Sequence, residues 1–530
     1  MAETVDLAQV ALVLRAGDDV AVTKRKVIGG TVLLWEGKEI SVRSDIPAGH
    51  KIALQSLKES APVRKYGQVI GYATTSIEVG EWIHTRNLGF GAGQGEGDRA
   101  LHLNYEYATN IPHVDYVPEG QRRTFQGFSR PDGRVGTRNY VGIISTVNCS
   151  AATVQAIADH FRSPEMMREF PNVDGVFPVT HKSGCGMHLG GEDYILLQRA
   201  LAGMAEHPNV SGYLLAGLGC EVNQSLSLAQ NQGLIKAQEV RFGRPQLPPT
   251  VTIQEAGGVR KAILKGIEET IKLLKQANEV KRTPQSVVNI TVGTNCGGSD
   301  GNSGVTANPA LGVAGDEFVR QGAGWVLAET SETYGAEHLL TSRAVSKDVG
   351  ERLVALMRWW EWYTGIWGAS IDSNPSPGNK EGGLTTIYEK SLGAVSKGGS
   401  TPLVEVYKFA EKISKRGFTF MDTPGHDPVS ITGLVAGGSN LVVFTTGRGS
   451  CLGFKPTPVL KIATNTPLYE RMTEDMDIDA GVILNGVSIE DVGRQIFETL
   501  IEVASGKKTK SEEQGLGEHE FAPWMLGPVM

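Results

Sequence analysis

The plainest pattern along the chain is a series of short, near-continuous apolar runs, each ending in a turn rich in glycine and polar residues. Runs at 139–147, 173–180 and 211–218 lead into Asn148-Cys149-Ser150, His181-Lys182-Ser183-Gly184-Cys185-Gly186 and Gly219-Cys220-Glu221, with helix-like stretches at 151–161 and 259–277. Strands covered on both faces read as continuous apolar runs, so the scheme predicts a parallel sheet with crossover helices. The run 286–292 repeats it, entering Gly293-Thr294-Asn295-Cys296-Gly297-Gly298-Ser299-Asp300-Gly301-Asn302-Ser303-Gly304 ahead of a helix at 310–321. A strand at 324–327, a helix at 347–367 and a strand at 440–446 that ends in Gly447-Arg448-Gly449-Ser450-Cys451 extend this second sheet.

The first 95 residues follow another pattern. Short β-rich runs at 20–27, 51–54 and 69–72 are broken by turns such as Pro47-Ala48-Gly49 and Val79-Gly80-Glu81, which predicts a compact all-β module. A Gly-rich polar stretch from Gly89 carries no sustained period and reads as a linker over 96–125. The expected organisation is therefore α/β overall: a β module at 1–95, the linker, a middle α/β domain at 126–280 and a C-terminal α/β domain at 281–530. Residues 372–383 hold too many Pro and Gly for a regular element. They read as a binding loop, because Asn379 and Lys380 are good partners for anions and hydroxyls.

Composition narrows the function classes. A chain of 530 residues exceeds what one core serves, and its 66 glycines, above the usual share of about 7%, imply many tight turns and backbone-lined sites. The formal net charge of −7 gives no basic field, so nucleic acid is not expected as a partner. No apolar run approaches the roughly 18 residues of a membrane span, and the N-terminus lacks the basic-then-apolar start of a secretory signal. A soluble, cytoplasmic protein is expected, with no membrane partner. Five cysteines, an odd number in a long chain, argue against a disulfide framework.

The candidate chemistry sits at the strand ends. Cys149, His181, Cys185, Cys220, Glu221 and Cys296 form the candidate metal-ligand set, since thiolates prefer softer metals such as iron or zinc and carboxylates accept harder ones. No two cysteines show C-x-x-C spacing, so a single ferrous ion or an iron–sulfur cluster alike requires the fold to bring distant turns together; small buried hydrophobes are the bland alternative. His50, placed after a turn and before a strand, is expected to be exposed and able to reach a neighbouring site. His50, His181 and Lys380 are the candidate bases. Arg448, flanked by glycines, is placed to grip a carboxylate through two parallel hydrogen bonds, with a salt bridge as its alternative use. Ser299, Asp300, Ser303, Asn374, Asn379, Lys380, Thr446 and Arg448 make up the candidate substrate-binding set. A nucleotide-dependent oxidoreductase is disfavoured, because no G-x-G-x-x-G sits at a strand-to-helix turn with an acid about 20 residues on. A purely binding protein leaves the thiols and the Arg at strand ends unexplained.

Ile46-Pro47-Ala48-Gly49-His50-Lys51, Arg134-Val135-Gly136-Thr137-Arg138-Asn139, Gly219-Cys220-Glu221, Cys296-Gly297-Gly298-Ser299-Asp300-Gly301, Asn374-Pro375-Ser376-Pro377-Gly378-Asn379-Lys380 and Thr446-Gly447-Arg448-Gly449 occur in this order. Together they resemble the altronate dehydratase and galactarate dehydratase family. The resemblance implies a β-clip N-terminal domain, a middle domain associated with dimer formation and hence a homodimer, and a C-terminal Rossmann-like variant with a parallel sheet. It also implies loss of water from a small-molecule sugar acid to give a 2-keto-3-deoxy acid, with dependence on ferrous iron (Fe2+). Tyr334-Gly335-Ala336-Glu337-His338 and His426-Asp427 look more like the altronate branch, whereas Ser450-Cys451-Leu452-Gly453 departs from the Thr-Pro-Tyr-Gly expected in both. A relative acting on sulfolactate shares the architecture. The chemistry is abstraction of the proton α to a carboxylate, with the developing charge stabilised by a chelated metal or by Arg448 and backbone N–H groups. His50, His181, Lys380 and Arg448 are the candidate catalytic residues.

Overall fold

The structure, a computed structural model, describes residues 4–91 and 105–526. In the first segment the strands Ala11–Leu12, Val20–Thr23, Lys51–Ala53 and Trp82–Ile83 form a four-stranded sheet, antiparallel throughout, flanked by two three-stranded sheets. Leu33, Ile40, Ile46 and Ile52 fill part of its core. One turn is reused four times: an apolar residue (Val27, Ile46, Leu57, Ile77) is followed three residues on by Gly30, Gly49, Ser60 or Gly80 with φ of 88°, 79°, 65° and 77°. These left-handed positions explain the glycine at three of the four. Within the 96–125 linker, the described residues from 105 onward lie against the C-terminal domain, where Tyr105 donates to Glu337 at 2.6 Å and the Val117 N–H donates to the Arg320 carbonyl.

The middle segment holds a four-stranded parallel sheet in the order Gly175–Val179, Tyr140–Ser145, Val210–Gly217, Thr250–Thr252. Helices Ala151–His160 and Val259–Ala277 cover the face that presents Ile143 and Leu214, and helix Glu192–Ala205 covers the face of Ile144 and Leu215. Burial on both faces is why these strands read as unbroken apolar runs. Strand Arg282–Ser286 pairs antiparallel with Thr124–Ser129, so the run at 286–292 is not one strand. A 3-10 turn at Val287–Asn289 separates that pairing from the next strand, Thr291–Cys296.

Thr291–Cys296 is the middle strand of a seven-stranded parallel sheet in the order Leu403–Tyr407, Gly417–Met421, Gly324–Leu327, Thr291–Cys296, Leu441–Thr446, Val459–Ala463, Ile478–Asp479. The chain adds strands first to one side of Thr291–Cys296 and later to the other. Cys296 therefore ends the strand at the topological switch point, where open α/β sheets leave a crevice for ligands. The proline-rich stretch 372–383 does contain regular structure, the short helix Pro377–Glu381. Proline at its first turn costs no hydrogen bond, and Ser376 and Asn379 close a reciprocal cap.

The β module is held to this domain by a buried ionic triad. Lys51 and Lys65 both reach Glu389 at 2.9 Å, and all three side chains are fully buried. Thr385 also donates to Glu389, and Lys51 donates to the Gly383 carbonyl at 2.7 Å. Although burial works against it, the two ammonium groups hold the Glu389 carboxyl well below the ordinary 4.5. The backbones meet so closely that a Cβ on Gly301 would lie 1.9 Å from the Gly49 carbonyl oxygen.

Glu389→Gln leaves two buried ammonium groups without a counter-charge, which costs about 3–5 kcal/mol; urea denaturation measures it. Because the folded-state carboxyl titrates below its unfolded value, its contribution is complete above pH 4.5 and is lost as pH falls through the folded value. A denaturation midpoint in Glu389→Gln equal to that of the unmutated protein contradicts this.

Candidate active site

At the switch point the Cys296 side chain meets residues from three other segments. Lys397 places its Nζ 2.8 Å from Cys296 Sγ and 2.6 Å from Glu329 Oε2, and the Cys296 N–H donates to the same Glu329 oxygen at 2.9 Å. Beside them Lys390 Nζ is 2.7 Å from Glu332 Oε1 and 2.8 Å from Asn374 Oδ1, while Asn374 Nδ2 donates to Glu332. Asn295 donates to Asp427 at 2.9 Å. Lys390 lies in the helix Ile387–Ala394 and Lys397 in the 3-10 turn Val395–Gly398 that continues it.

Burial sets the protonation of this cluster. It pushes the Cys296 thiol up to about 12, and Glu329 up to about 7 against the pull of Lys397. Burial alone would lower both lysines, but the negative groups outweigh it and hold Lys390 and Lys397 above their usual range. Glu329 also carries a left-handed backbone, φ 67°, a strain of about 1–3 kcal/mol for a side chain other than glycine. Thr423 Oγ1 accepts its N–H.

Among the described residues, four buried polar atoms here lack hydrogen-bond partners: Asn295 Oδ1, Ser299 Oγ, Asn302 Oδ1 and Glu329 Oε1. An unpaired buried polar atom costs about 1–3 kcal/mol, so their gathering on one turn and its neighbour marks a place built for a polar ligand. A cavity of about 10 Å³, near the volume needed to seat one water, lies against Cys296, Ser299, Asp300, Lys390 and Tyr66 of the β module.

The residues singled out from sequence fall into different roles. Asp300 is buried and saturated, accepting from Ser303, Thr464, Asn465 and the Asn302 N–H. With Ser303 it shapes the turn. Asn379 donates to the Ser299 carbonyl and caps its own helix. Thr446 Oγ1 accepts the Gly449 N–H, and the Gly447 and Arg448 N–H groups donate to the Gly298 carbonyl, tying the two strand-end turns together. Arg448 is exposed, 3.3 Å from Glu381, and Lys380 is half-buried with its carbonyl accepting from His84. Ser299 and Asn374 lie in the cluster itself.

His50 is not exposed. The module packs its turn against Gly301 and Gly383, so the ring is buried. Trp82 donates to its Nδ1 at 3.2 Å, which leaves Nε2 to donate to the Glu381 carbonyl at 3.1 Å. Burial, then the Lys51 charge, lowers it to about 4, so it is a neutral ring with both nitrogens engaged. His181, likewise buried and lowered to about 4, accepts from the Ser183 N–H and donates to the Ser145 carbonyl. Glu221 accepts the Leu218 and Gly219 N–H groups and the Thr146 hydroxyl. Cys149, Cys185 and Cys220 are exposed on the middle domain. Cys296 is buried on the C-terminal sheet, with the ligand-capable neighbours Glu329 and Glu332, so the six proposed ligands do not form one centre.

Sequence reasoning passed over Glu329, Glu332, Lys390, Lys397, Asn295 and Asp427 as site residues. The available signal was two lysines inside the small-residue and apolar stretch 387–398.

A ferrous ion can be tested against the buried donors. Cys296 Sγ and oxygens of Glu329 and Glu332 lie within 4.8 Å of one another, and a mixed sulfur and oxygen set suits iron. Lys397 and Lys390 already occupy those donors, and a dication among them would face two buried positive charges. The set fits an ion-pair network and not a metal centre.

Comparison with known proteins finds matches to three successive parts of the chain. Residues 9–90 match the altronate/galactarate dehydratase SAF domain, residues 127–278 the D-galactarate dehydratase/altronate hydrolase second domain, and residues 287–529 the D-galactarate/altronate dehydratase C-terminal domain. An altronate dehydratase of Bacillus subtilis (strain 168) is 36% identical over 507 residues, 94% of this chain and 96% of its own. The L-threo-forming galactarate dehydratase of Escherichia coli (strain K12) is 37% identical over 489 residues, 91% of each chain. A (2R)-sulfolactate sulfo-lyase of Chromohalobacter salexigens divides the similarity between two subunits. Its β subunit is 32% identical over 75% of this chain and 96% of its own, and its α subunit 40% identical over 9% of this chain and 53% of its own.

In metal-free protein at neutral pH, iodoacetamide should label Cys149, Cys185, Cys220 and Cys451, and should reach Cys296 only after unfolding, because its thiol is buried and protonated. Peptide mapping by mass spectrometry reads this out; rapid labelling of Cys296 in the folded protein contradicts it.

Proposed function

The chain belongs to the D-galactarate/altronate dehydratase family, and from that premise we propose how its own residues carry the reaction. The enzyme is a hydro-lyase that removes water from a sugar acid. The observation that carries the site reading is the group of unpartnered buried atoms on the Cys296 turn and Glu329. A polyhydroxylated chain is the ligand that matches several adjacent, unsatisfied oxygen acceptors and a hydroxyl.

In this reading Arg448 binds the substrate carboxylate, giving up its loose contact to Glu381 for a bidentate one. Glu332 removes the proton on C2, and the Lys390 ammonium protonates the hydroxyl leaving C3 as water. A C2–H and a C3–O bond break, a C2–C3 double bond forms, and the resulting enol tautomerises to the 2-keto-3-deoxy acid. The proton held by Glu332 then returns to Lys390 across their 2.7 Å contact, restoring the pair. Lys397, fully buried between Cys296 and Glu329, supplies a fixed positive charge behind the reacting carbons. His50 positions the Glu381 end of the loop, since both its nitrogens are engaged.

This reading also takes the enzyme to be a cytoplasmic homodimer. Exposed Leu189, Ile195, Leu226, Val240 and Leu247 on the middle domain support an interface there. Among the described residues no helix is long and apolar enough to cross a membrane. The sulfo-lyase alternative has weaker support, since similarity to that enzyme covers less of this chain.

Offered altronate, galactarate and sulfolactate anaerobically with ferrous iron and a thiol reductant, the enzyme should form a 2-keto acid from a sugar acid and no sulfite from sulfolactate. Glu332→Gln should lower kcat by about 10²–10⁴. Arg448→Lys should raise KM roughly tenfold, because a point charge does not reproduce the bidentate grip. Unchanged kinetics in Glu332→Gln sinks its role as the base.

A further inference from the structure

The three exposed thiols of the middle domain lie outside the site just described, and they share one edge of one sheet. Cys185, Cys149 and Cys220 follow the strands Gly175–Val179, Tyr140–Ser145 and Val210–Gly217, which are consecutive in the sheet with Tyr140–Ser145 between the other two. Neighbouring strands are about 4.8 Å apart, so the three turns are adjacent at the carboxyl edge. Hydrogen bonds knit them together. The Asn148 N–H donates to the Ser183 carbonyl at 2.9 Å, the Asn223 N–H to the Gly184 carbonyl at 3.1 Å, and Asn223 Nδ2 to the Thr146 carbonyl at 2.9 Å. Gly184, with φ 97°, allows this approach: a Cβ there would lie 2.4 Å from the Thr146 oxygen.

Three other polar side chains of these turns are spent on their architecture. His181 bridges Ser145 and Ser183, Glu221 ties Thr146 to the 218–219 backbone, and Asn223 is bonded as above. The sulfurs remain exposed, with a weak contact from Gln254 to Cys220 at 3.5 Å, and none is in a disulfide. Among the described residues no ammonium group is paired with them, in contrast to Cys296.

Three soft donors on adjacent turns suit a thiolate-bound iron group. A single tetrahedral ion with metal–sulfur bonds of about 2.3 Å draws its thiolates to about 3.8 Å from one another. These three sulfurs do not all lie within 4.8 Å of one another. A cluster seats each thiolate on a separate iron and spaces them more widely. We propose that Cys149, Cys185 and Cys220 bind an iron–sulfur cluster of the four-iron type, each to one iron, with the fourth iron left without a protein ligand. Assembly replaces three S–H bonds with three Fe–S bonds and releases three protons; two ferrous ions, two ferric ions and four sulfides supply the core, so neither the thiols nor the iron undergoes net oxidation. The site does not depend on the assignment of Glu332, Lys390 or Arg448.

The test uses the full chain, purified anaerobically and reconstituted with ferrous and ferric iron in equal amounts, inorganic sulfide and a thiol reductant. Roughly four iron and four acid-labile sulfide per chain are expected, with visible thiolate-to-iron absorbance. Cys149→Ala, Cys185→Ala and Cys220→Ala should each lose most of the iron and the absorbance, whereas Cys451→Ala and Cys296→Ala should retain both. Exposed cysteines contribute little to stability, and circular dichroism of each variant confirms its fold. Should a variant fail to fold, Mössbauer spectroscopy of the reconstituted unmutated chain decides by counting cluster iron against isolated ferrous ions. Iron bound without sulfide, no iron bound, or loss of iron in Cys296→Ala with retention in the three variants overturns the proposal. Turnover of sugar acids is a separate readout, so its loss in Glu332→Gln with iron intact leaves the cluster standing.

Discussion

Two lysines from the β module and one glutamate from the C-terminal domain, all buried, set the position of everything at the switch point. Lys51 and Lys65 share Glu389 as their counter-charge, and Glu389 precedes Lys390 in the same helix. A buried ion pair is weak evidence for net stability, yet it fixes register strongly, because any slip leaves charge unpaired in a medium of low polarity. The register fixed here seats the 47–50 turn against Gly301 and Gly383. It also orients the helix Ile387–Ala394 so that Lys390 faces Glu332.

The second ionic layer depends on the first. Lys397 follows the same helix and reaches back to Cys296 and Glu329, so four segments of the chain converge on a buried cluster. The β module contributes its own side chains to holding this arrangement. Residues 9–90 match a domain of their own, and what the module contributes to the site is placement.

Much of the architecture was legible from period alone. The parallel strands announced themselves because burial on both faces leaves no polar alternation, and the Cys296 turn stood out because glycine, thiol and amide gather where a buried strand stops. The site was legible only in part. His50 was expected to be exposed, since a turn residue usually is; the partner domain that covers it is hundreds of residues away in sequence. Lys390 and Lys397 carry no local signature that distinguishes them from solvated lysines, and their burial follows from charges on other segments. The helix Pro377–Glu381 was hidden by proline content, although Ser376-Pro377 with Asn379 is a helix start.

A crystal structure with an unreactive sugar-acid analogue bound tests the central claim, that the ionic cluster at the switch point is the substrate site. The account places the analogue's carboxylate on Arg448, its hydroxyls on Ser299 and Asn295, and its second carbon beside Glu332 and Lys390. An analogue bound away from the Cys296 turn, with the Lys390–Glu332 pair untouched, contradicts it.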